Sequence, residues 1–204
     1  MIRDRIIKYK DKSIIELSEI FNVNAKSKAA TFNIARGMLG VRGDKIQEFE
    51  KANIKIKAIR IGNNKKIKEN MSFPAFKYLD IIKEEWEESK LRNIFIETKY
   101  LFVIFKENNN GQYRLFDSMF WNMSINDLDV DVKWVWDETI RRIKLNEYGR
   151  LPGSKENRVS HIRPHAKNGA DTYPTWDGKK CVKKCFWLNN SYILSEIKKE
   201  INID

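Results

Sequence analysis

Apolar residues recur along this chain with two periods, one close to four and one of two, and the elements they predict alternate between helix and strand. Ser13-Ile14-Ile15-Glu16 has the form of a capping box, in which a hydroxyl and a carboxylate each satisfy a backbone group at a helix start. Ile14, Leu17 and Phe21 follow at helical spacing, Asn22-Val23-Asn24 reads as a turn, and Ala29, Phe32, Ala35 and Leu39 form a second helical stripe that closes at Gly40. Ile54-Lys55-Ile56-Lys57-Ala58 alternates with period two, which predicts a strand with Ile54, Ile56 and Ala58 inward and both lysines outward. The apolar run from Asn93 to Phe105 predicts one or two buried strands, and Asn108-Asn109-Asn110-Gly111 a turn before Gln112 to Phe116. Val132, Val135, Thr139 and Ile143, with Trp136 beside them, predict an amphipathic helix whose last turn carries Arg141, Arg142 and Lys144. Between Asn146 and Lys180 loop-forming residues accumulate, interrupted only by Val159 to Arg163. Val182 to Leu188 resumes strand character, and Asn190-Ser191 caps a last helix reaching Ile201.

This alternation fits an α/β fold, and 204 residues with 42% hydrophobic content suffice for one packed domain. We expect a helical pair over residues 1–40 and a sheet core over 41–204 that ends in a C-terminal helix. No apolar run is long enough to span a bilayer, and Met1-Ile2-Arg3-Asp4-Arg5 lacks the apolar stretch of a signal peptide, so a cytoplasmic protein without a membrane partner is expected. Cys181 and Cys185 make no disulfide framework and suit a reducing compartment.

Charge adds direction to this outline. The net charge of +11 is distributed as +10 over residues 1–68, −6 over 69–140 and +7 over 141–204. A chain basic at both ends can fold with one positive face, the footprint expected where DNA phosphates are neutralised. A basic surface kept for solubility is the plainer alternative. The two short N-terminal helices also allow a helix-turn-helix DNA binder, with Lys26, Lys28 and Arg36 on the second helix facing DNA, or an ordinary helical hairpin covering a sheet.

Two constellations suggest metals. His161, His165, Cys181 and Cys185 are zinc-ligand types, but the cysteines sit at the entry to an apolar strand rather than on a tight turn, and no metal is expected there. Glu97-Thr98-Lys99 is a bare E-x-K element of metal-dependent nucleases, with no acid a short loop upstream.

The segment Arg42-Gly43-Asp44-Lys45-Ile46-Gln47-Glu48-Phe49-Glu50-Lys51-Ala52-Asn53-Ile54-Lys55-Ile56-Lys57 is more specific. It resembles the active-site strand of the MutH-like family, which comprises the mismatch-repair endonuclease and the related type II restriction enzymes that cut at GATC. In register, Glu48 takes the place of the first acid, Lys57 that of the lysine and Lys55 that of the metal-binding glutamate; a further acid falls at Arg36, before Leu39-Gly40. Met71-Ser72-Phe73-Pro74-Ala75-Phe76-Lys77, Phe95-Ile96-Glu97-Thr98-Lys99-Tyr100-Leu101-Phe102, His161-Ile162-Arg163-Pro164-His165 and Phe186-Trp187-Leu188-Asn189-Asn190 resemble the second half of the GATC-cutting enzymes of the Sau-three-A type.

The resemblance implies a restriction-endonuclease fold with a mixed central sheet flanked by helices, and a cleft between the N-terminal helices and the loop carrying Arg163. It further implies the C-terminal effector half of a type II restriction enzyme: a partner to duplex DNA containing GATC and to an N-terminal catalytic domain, with magnesium needed by that catalytic half and no cofactor in this one. With cations at Arg36 and Lys55 this half would bind DNA without cutting it, since magnesium demands carboxylate oxygens. Arg163, Pro164 and His165 match the family's groove-entering loop, with His165 replacing a lysine, and Lys167 follows. Trp187 takes the place of an aromatic that senses adenine methylation, or is a core residue. The DNA-binding set is thus Arg36, Lys55, Lys57, Arg163, Pro164, His165, Lys167 and Trp187. The competing enzyme reading is a stand-alone magnesium endonuclease using Glu48, Glu97 and Lys57.

Overall fold

The computed structural model describes residues 2–40, 49 and 51–203. Helices α1 (Ile2–Ile7), α2 (Ile14–Phe21) and α3 (Ala30–Met38) come first, then strands β1 (Ile54–Ile61) and β2 (Met71–Ser72). Helices α4 (Tyr78–Ile81) and α5 (Lys90–Glu97) lead into strands β3 (Lys99–Glu107) and β4 (Tyr113–Trp121). Helix α6 (Lys133–Lys144) is followed by β5 (Ser160–Pro164), β6 (Thr172–Pro174), β7 (Lys180–Val182), β8 (Lys184–Leu188) and helix α7 (Asn190–Glu200). The fold is therefore mixed α/β. No described helix is long and apolar enough to cross a membrane. The chain forms two compact units, one of residues 1–69, 97–122 and 194–204, the other of residues 70–96 and 123–193.

The first unit is built on a mixed sheet of order β1-β3-β4. Strand β1 runs parallel to β3, Ile54 opposite Lys99 and Lys57 opposite Phe102, while β3 and β4 form an antiparallel hairpin. At its turn the Asn108 side chain accepts from the N–H groups of Asn110 (3.0 Å) and Gln112 (2.9 Å), and Gly111 takes the left-handed conformation (φ 74°) that a Cβ would strain. Tyr100 to Phe105 are all buried, so β3 has a continuous apolar run instead of an alternating one. Ile56, Leu101, Val103 and Phe105 share one cluster with Ile6, Leu17 and Ile34 of α1, α2 and α3.

The capping box at Ser13 is present: its hydroxyl accepts from the Glu16 N–H (3.2 Å) and the Glu16 carboxylate from the Ser13 N–H (2.8 Å). Asn22, left-handed at φ 52°, ends that helix. The stripe of the next helix needs correction. Phe32 is 41% exposed, and the buried face is Ala30, Thr31, Ile34, Ala35 and Met38. The run from Asn93 to Phe105 is likewise divided, because Ile94, Phe95 and Ile96 belong to α5 and the strand begins only at Lys99. Short apolar runs do not distinguish a helix end from a strand by periodicity alone.

The second unit holds an antiparallel sheet of order β2-β8-β5 and a separate ribbon, β6-β7. That ribbon lies in the stretch expected to be mostly loop, where Thr172–Pro174 and Lys180–Val182 are too short to show a period. An aromatic cluster packs the unit, with Phe73 against Phe95 (4.6 Å between centroids) and Trp86 against Trp136 (5.5 Å). Before α6 the chain makes a π-helical stretch, Asp127–Val132. Its acids are tied down: Asp129 accepts from Trp86 Nε1 (2.8 Å) and pairs with Arg92 (2.9 Å), and Asp127 and Asp131 both pair with Arg158. The Arg92 guanidinium holds Asp129 below the usual carboxylate range. Much of the negative charge of the middle segment is thus neutralised within the fold.

Removing the Ser13 hydroxyl leaves a helix N–H without its partner. Ser13→Ala is expected to cost about 1 kcal/mol, read as a fall of about 2–4 °C in Tm by calorimetry; an unchanged Tm would show that the cap carries no weight.

Candidate nucleic-acid interface

Strand β1 decides where its lysines point. Ile54, Ile56 and Ala58 face the helices as the alternation predicts, which puts Lys55 and Lys57 together on the opposite face. That face continues across the sheet as Tyr100 and Phe102, in register with Lys55 and Lys57, and Phe102 stacks on Trp121 (5.3 Å, 19°). Lys55 is exposed, but Lys57 is partly buried rather than fully outward. Burial, with the Lys55 charge as a second cause, pushes the Lys57 ammonium below the ordinary lysine range. Among the described residues Lys57 has no anionic partner given by an ion pair or hydrogen bond. Arg36 lies on α3, half-buried, its guanidinium 5.9 Å from the centre of the Phe32 ring.

Arg36, Lys55 and Lys57 offer magnesium no oxygen ligands. No group of three or more His, Cys, Asp or Glu among the described residues is arranged to hold a metal, and Glu48, with the rest of Val41–Gln47, lies outside the described residues. Glu97 is exposed at the end of α5, two residues before Lys99, which pairs with Ile54. Ile54 is three residues down the strand from Lys57, about 10 Å at the usual rise, so Glu97 and Lys57 lie at different levels along the sheet. The helix-turn-helix placement also changes, since α3 starts at Ala30 and Lys26 and Lys28 precede it. Helices α2 and α3 bury their apolar faces in the cluster over the sheet, as a covering hairpin does.

In the second unit, Arg163 and Pro164 are the last residues of β5 rather than part of a loop, which begins beyond them. His165 N–H still donates to the Lys183 carbonyl (2.8 Å), extending the pairing past proline, which has no N–H to give. Arg163 stands opposite Cys185, and His161 opposite Trp187. The Arg163 guanidinium lies over the Trp187 ring at 4.8 Å, and His165 meets the same ring edge-on at 5.6 Å. Arg163 and His165 are exposed while Trp187 is half-buried, so the tryptophan serves as a platform that orients a cation towards solvent. Trp187 Nε1 is buried without a hydrogen-bond partner among the described residues.

Beside this cluster runs a groove of about 620 Å³ lined by Asn70, Gly153, His161, Arg163, Asn189 and Asn190 among others. Amide and imidazole groups next to an arginine are the donors and acceptors that read base edges. His161 is buried, and that desolvation, more than the Arg163 charge, holds its pKa below the ordinary histidine value. Its neutral ring stands in the groove near physiological pH. The zinc set is not assembled: Cys185 is fully buried, its thiol pushed up to about 11 by burial, and Cys181 Sγ accepts from the Tyr78 hydroxyl (3.4 Å). Lys167 is exposed in the following loop, where its N–H donates to Asp171 (3.1 Å).

Sequence reasoning missed the groove's asparagines. Asn189 holds the Asn157 carbonyl through its Nδ2 (2.7 Å) and so fixes the chain that forms the groove wall, a role no local pattern announces.

No protein-family model matches the chain. Among curated proteins, the type II restriction enzyme Sau3AI of Staphylococcus aureus is 28% identical over 239 aligned residues, covering 93% of this chain and 49% of that enzyme. The chain spans about half the length of this relative, consistent with one domain of it. The likeness to such an enzyme read from the sequence motifs is borne out.

Replacing Lys57 by an apolar residue of similar length removes a poorly solvated charge. Lys57→Met is expected to raise Tm by about 2–4 °C, the equivalent of about 1 kcal/mol in a chain of this size. Because the folded-state pKa is depressed, its penalty is full at neutral pH and fades as pH rises towards the unfolded lysine value, so the variant's advantage should shrink between pH 7 and pH 10. Constant or absent stabilisation across that range would contradict the desolvation argument.

Proposed function

We propose that this chain is a domain of MutH type that binds duplex DNA containing GATC, as the non-cutting effector part of a type II restriction enzyme whose catalytic part is a separate domain. The observation that carries this reading is the pair of lysines on one face of β1, at the strand where a cutting member of the family carries a metal-binding carboxylate. A half-buried ammonium without an anionic partner among the described residues is stabilised by a phosphate oxygen, and Lys55 beside it adds a second, solvent-facing cation. Arg36 supplies a third positive group in the same unit. Such cations clamp a DNA backbone and repel the magnesium that hydrolysis requires.

Sequence reading falls to the second unit. A guanidinium held at 4.8 Å over an indole is restricted in orientation, and an oriented fork is what bidentate recognition of guanine O6 and N7 needs. Pro164 stiffens the strand end, and His165 and Lys167 extend the donor row. The Sau3AI likeness supports a role in restriction, and in this reading cleavage belongs to residues outside this set.

Binding to a GATC duplex and to a scrambled duplex, compared across salt concentrations, tests both halves of the proposal. The GATC duplex should bind more tightly at every salt concentration. Arg163→Ala should erase about 10- to 100-fold of that preference. Lys55→Ala should weaken both duplexes alike and lower the salt slope by about one. Equal affinity for the two duplexes would refute site recognition. Cleavage of a GATC plasmid in magnesium, lost on Glu48→Ala, would overturn the non-cutting role.

A further inference from the structure

The β6-β7 ribbon ends in a turn that presents Trp176, 59% exposed, to solvent. An indole so placed gains little from burial, yet the turn beneath it is firmly built. Thr175 N–H donates to the Lys179 carbonyl (2.9 Å), Gly178 N–H to the Thr175 carbonyl (3.1 Å), and the Thr175 hydroxyl to Asp177 (2.7 Å). Gly178 takes φ 79°, which only glycine adopts without strain. Asp177 pairs with Lys179 (2.8 Å) and accepts from the Tyr148 hydroxyl (3.3 Å). Trp176 is thus a bulky apolar side chain on a pre-organised tip, an arrangement that lowers the ordering cost of a contact made there.

Where the ribbon grows identifies that partner. It is inserted between β5 and β8, and its base is bonded to the candidate interface: His165 N–H donates to the Lys183 carbonyl (2.8 Å) and Lys183 N–H to the Asp171 carbonyl (3.1 Å). The stretch from His165 to Lys184 carries Lys167, Lys179, Lys180, Lys183 and Lys184 against Asp171 and Asp177, and each of those acids is already paired with a lysine. The exposed surplus is positive, with Lys180 on the strand that leads away from the tip. A two-stranded ribbon has the width to enter the major groove of B-DNA.

We infer that the β6-β7 ribbon enters the major groove of the duplex and that Trp176 makes an apolar contact with base edges there, while Lys180 meets the flanking phosphate. This rests on the DNA-binding reading above and adds a second contact region to it. An apolar edge contact makes little use of the donor and acceptor pattern of the bases, so Trp176 contributes affinity, and discrimination between sequences stays with Arg163.

Fluorescence anisotropy with labelled GATC and scrambled duplexes, over a series of salt concentrations, tests the assignment with the parent chain, Trp176→Ala, Trp176→Phe, Lys180→Gln and Arg163→Ala. Trp176→Ala should weaken binding to both duplexes by at least about 5-fold with an unchanged salt slope and an unchanged Tm. Trp176→Phe should restore most of the loss, and Lys180→Gln should lower the slope by about one. Binding by Trp176→Ala within about twofold of the parent, while Arg163→Ala loses discrimination, would overturn the ribbon contact and leave the proposed function standing. Absence of DNA binding by the parent chain would overturn both. Trp176-dependent binding to anionic lipid vesicles, with DNA binding unaffected, would reassign the tip to a membrane surface.

Discussion

The register between β1 and β3 governs what the first unit can present. Because six successive residues of β3, Tyr100 to Phe105, are buried, that strand cannot slide or turn over without exposing aromatic and branched side chains. Its parallel pairing with β1 therefore fixes which β1 residues meet the helices and which stand on the other face. Ile54, Ile56 and Ala58 go to the core, and the lysines have no choice but to share the other side, one of them partly out of water. The charge on that face is imposed by packing behind it, and the cost of holding Lys57 there is borne by the apolar cluster of β3 and the three N-terminal helices.

The second unit uses a different means to the same end. There a cation is held in place by a ring: Arg163 across Trp187, with His165 at the ring's edge. The antiparallel pairing of β5 with β8 brings these residues together although they lie far apart in sequence, and the His165 N–H carries the pairing one residue past the proline. Internal ion pairs complete the picture. Arg92 and Arg158 bind the acids of the π-helical stretch, and Arg142 binds Glu138 and Glu156, so arginines that could have met DNA are consumed by structure.

Much of this was legible in the chain. The capping box at Ser13, the alternation of β1, the turn at Asn108–Gly111 and the amphipathic helix ending in Arg141, Arg142 and Lys144 rest on local chemistry, and each is found where it was expected. What was not legible depended on tertiary context. Phe32 looked like core because it fell on a helical stripe, yet the stripe that packs is the neighbouring one. Ile94 to Ile96 looked like strand because a buried helix end and a buried strand have the same composition. The β6-β7 ribbon could not be read, because three residues per strand carry no period. At the candidate interface, Arg163, His165 and Trp187 were nominated separately by resemblance, whereas their contact through one ring is a property of the β5-β8 register alone.

A partly buried lysine is also a chemical reagent. Desolvation that lowers the Lys57 pKa enlarges the fraction of its side chain present as free amine, and the free amine is the nucleophile. Such a group is a target for a small amine-directed acylating agent. Acylation there would cancel the charge in one step, leaving one cation where the surface of β1 now carries two.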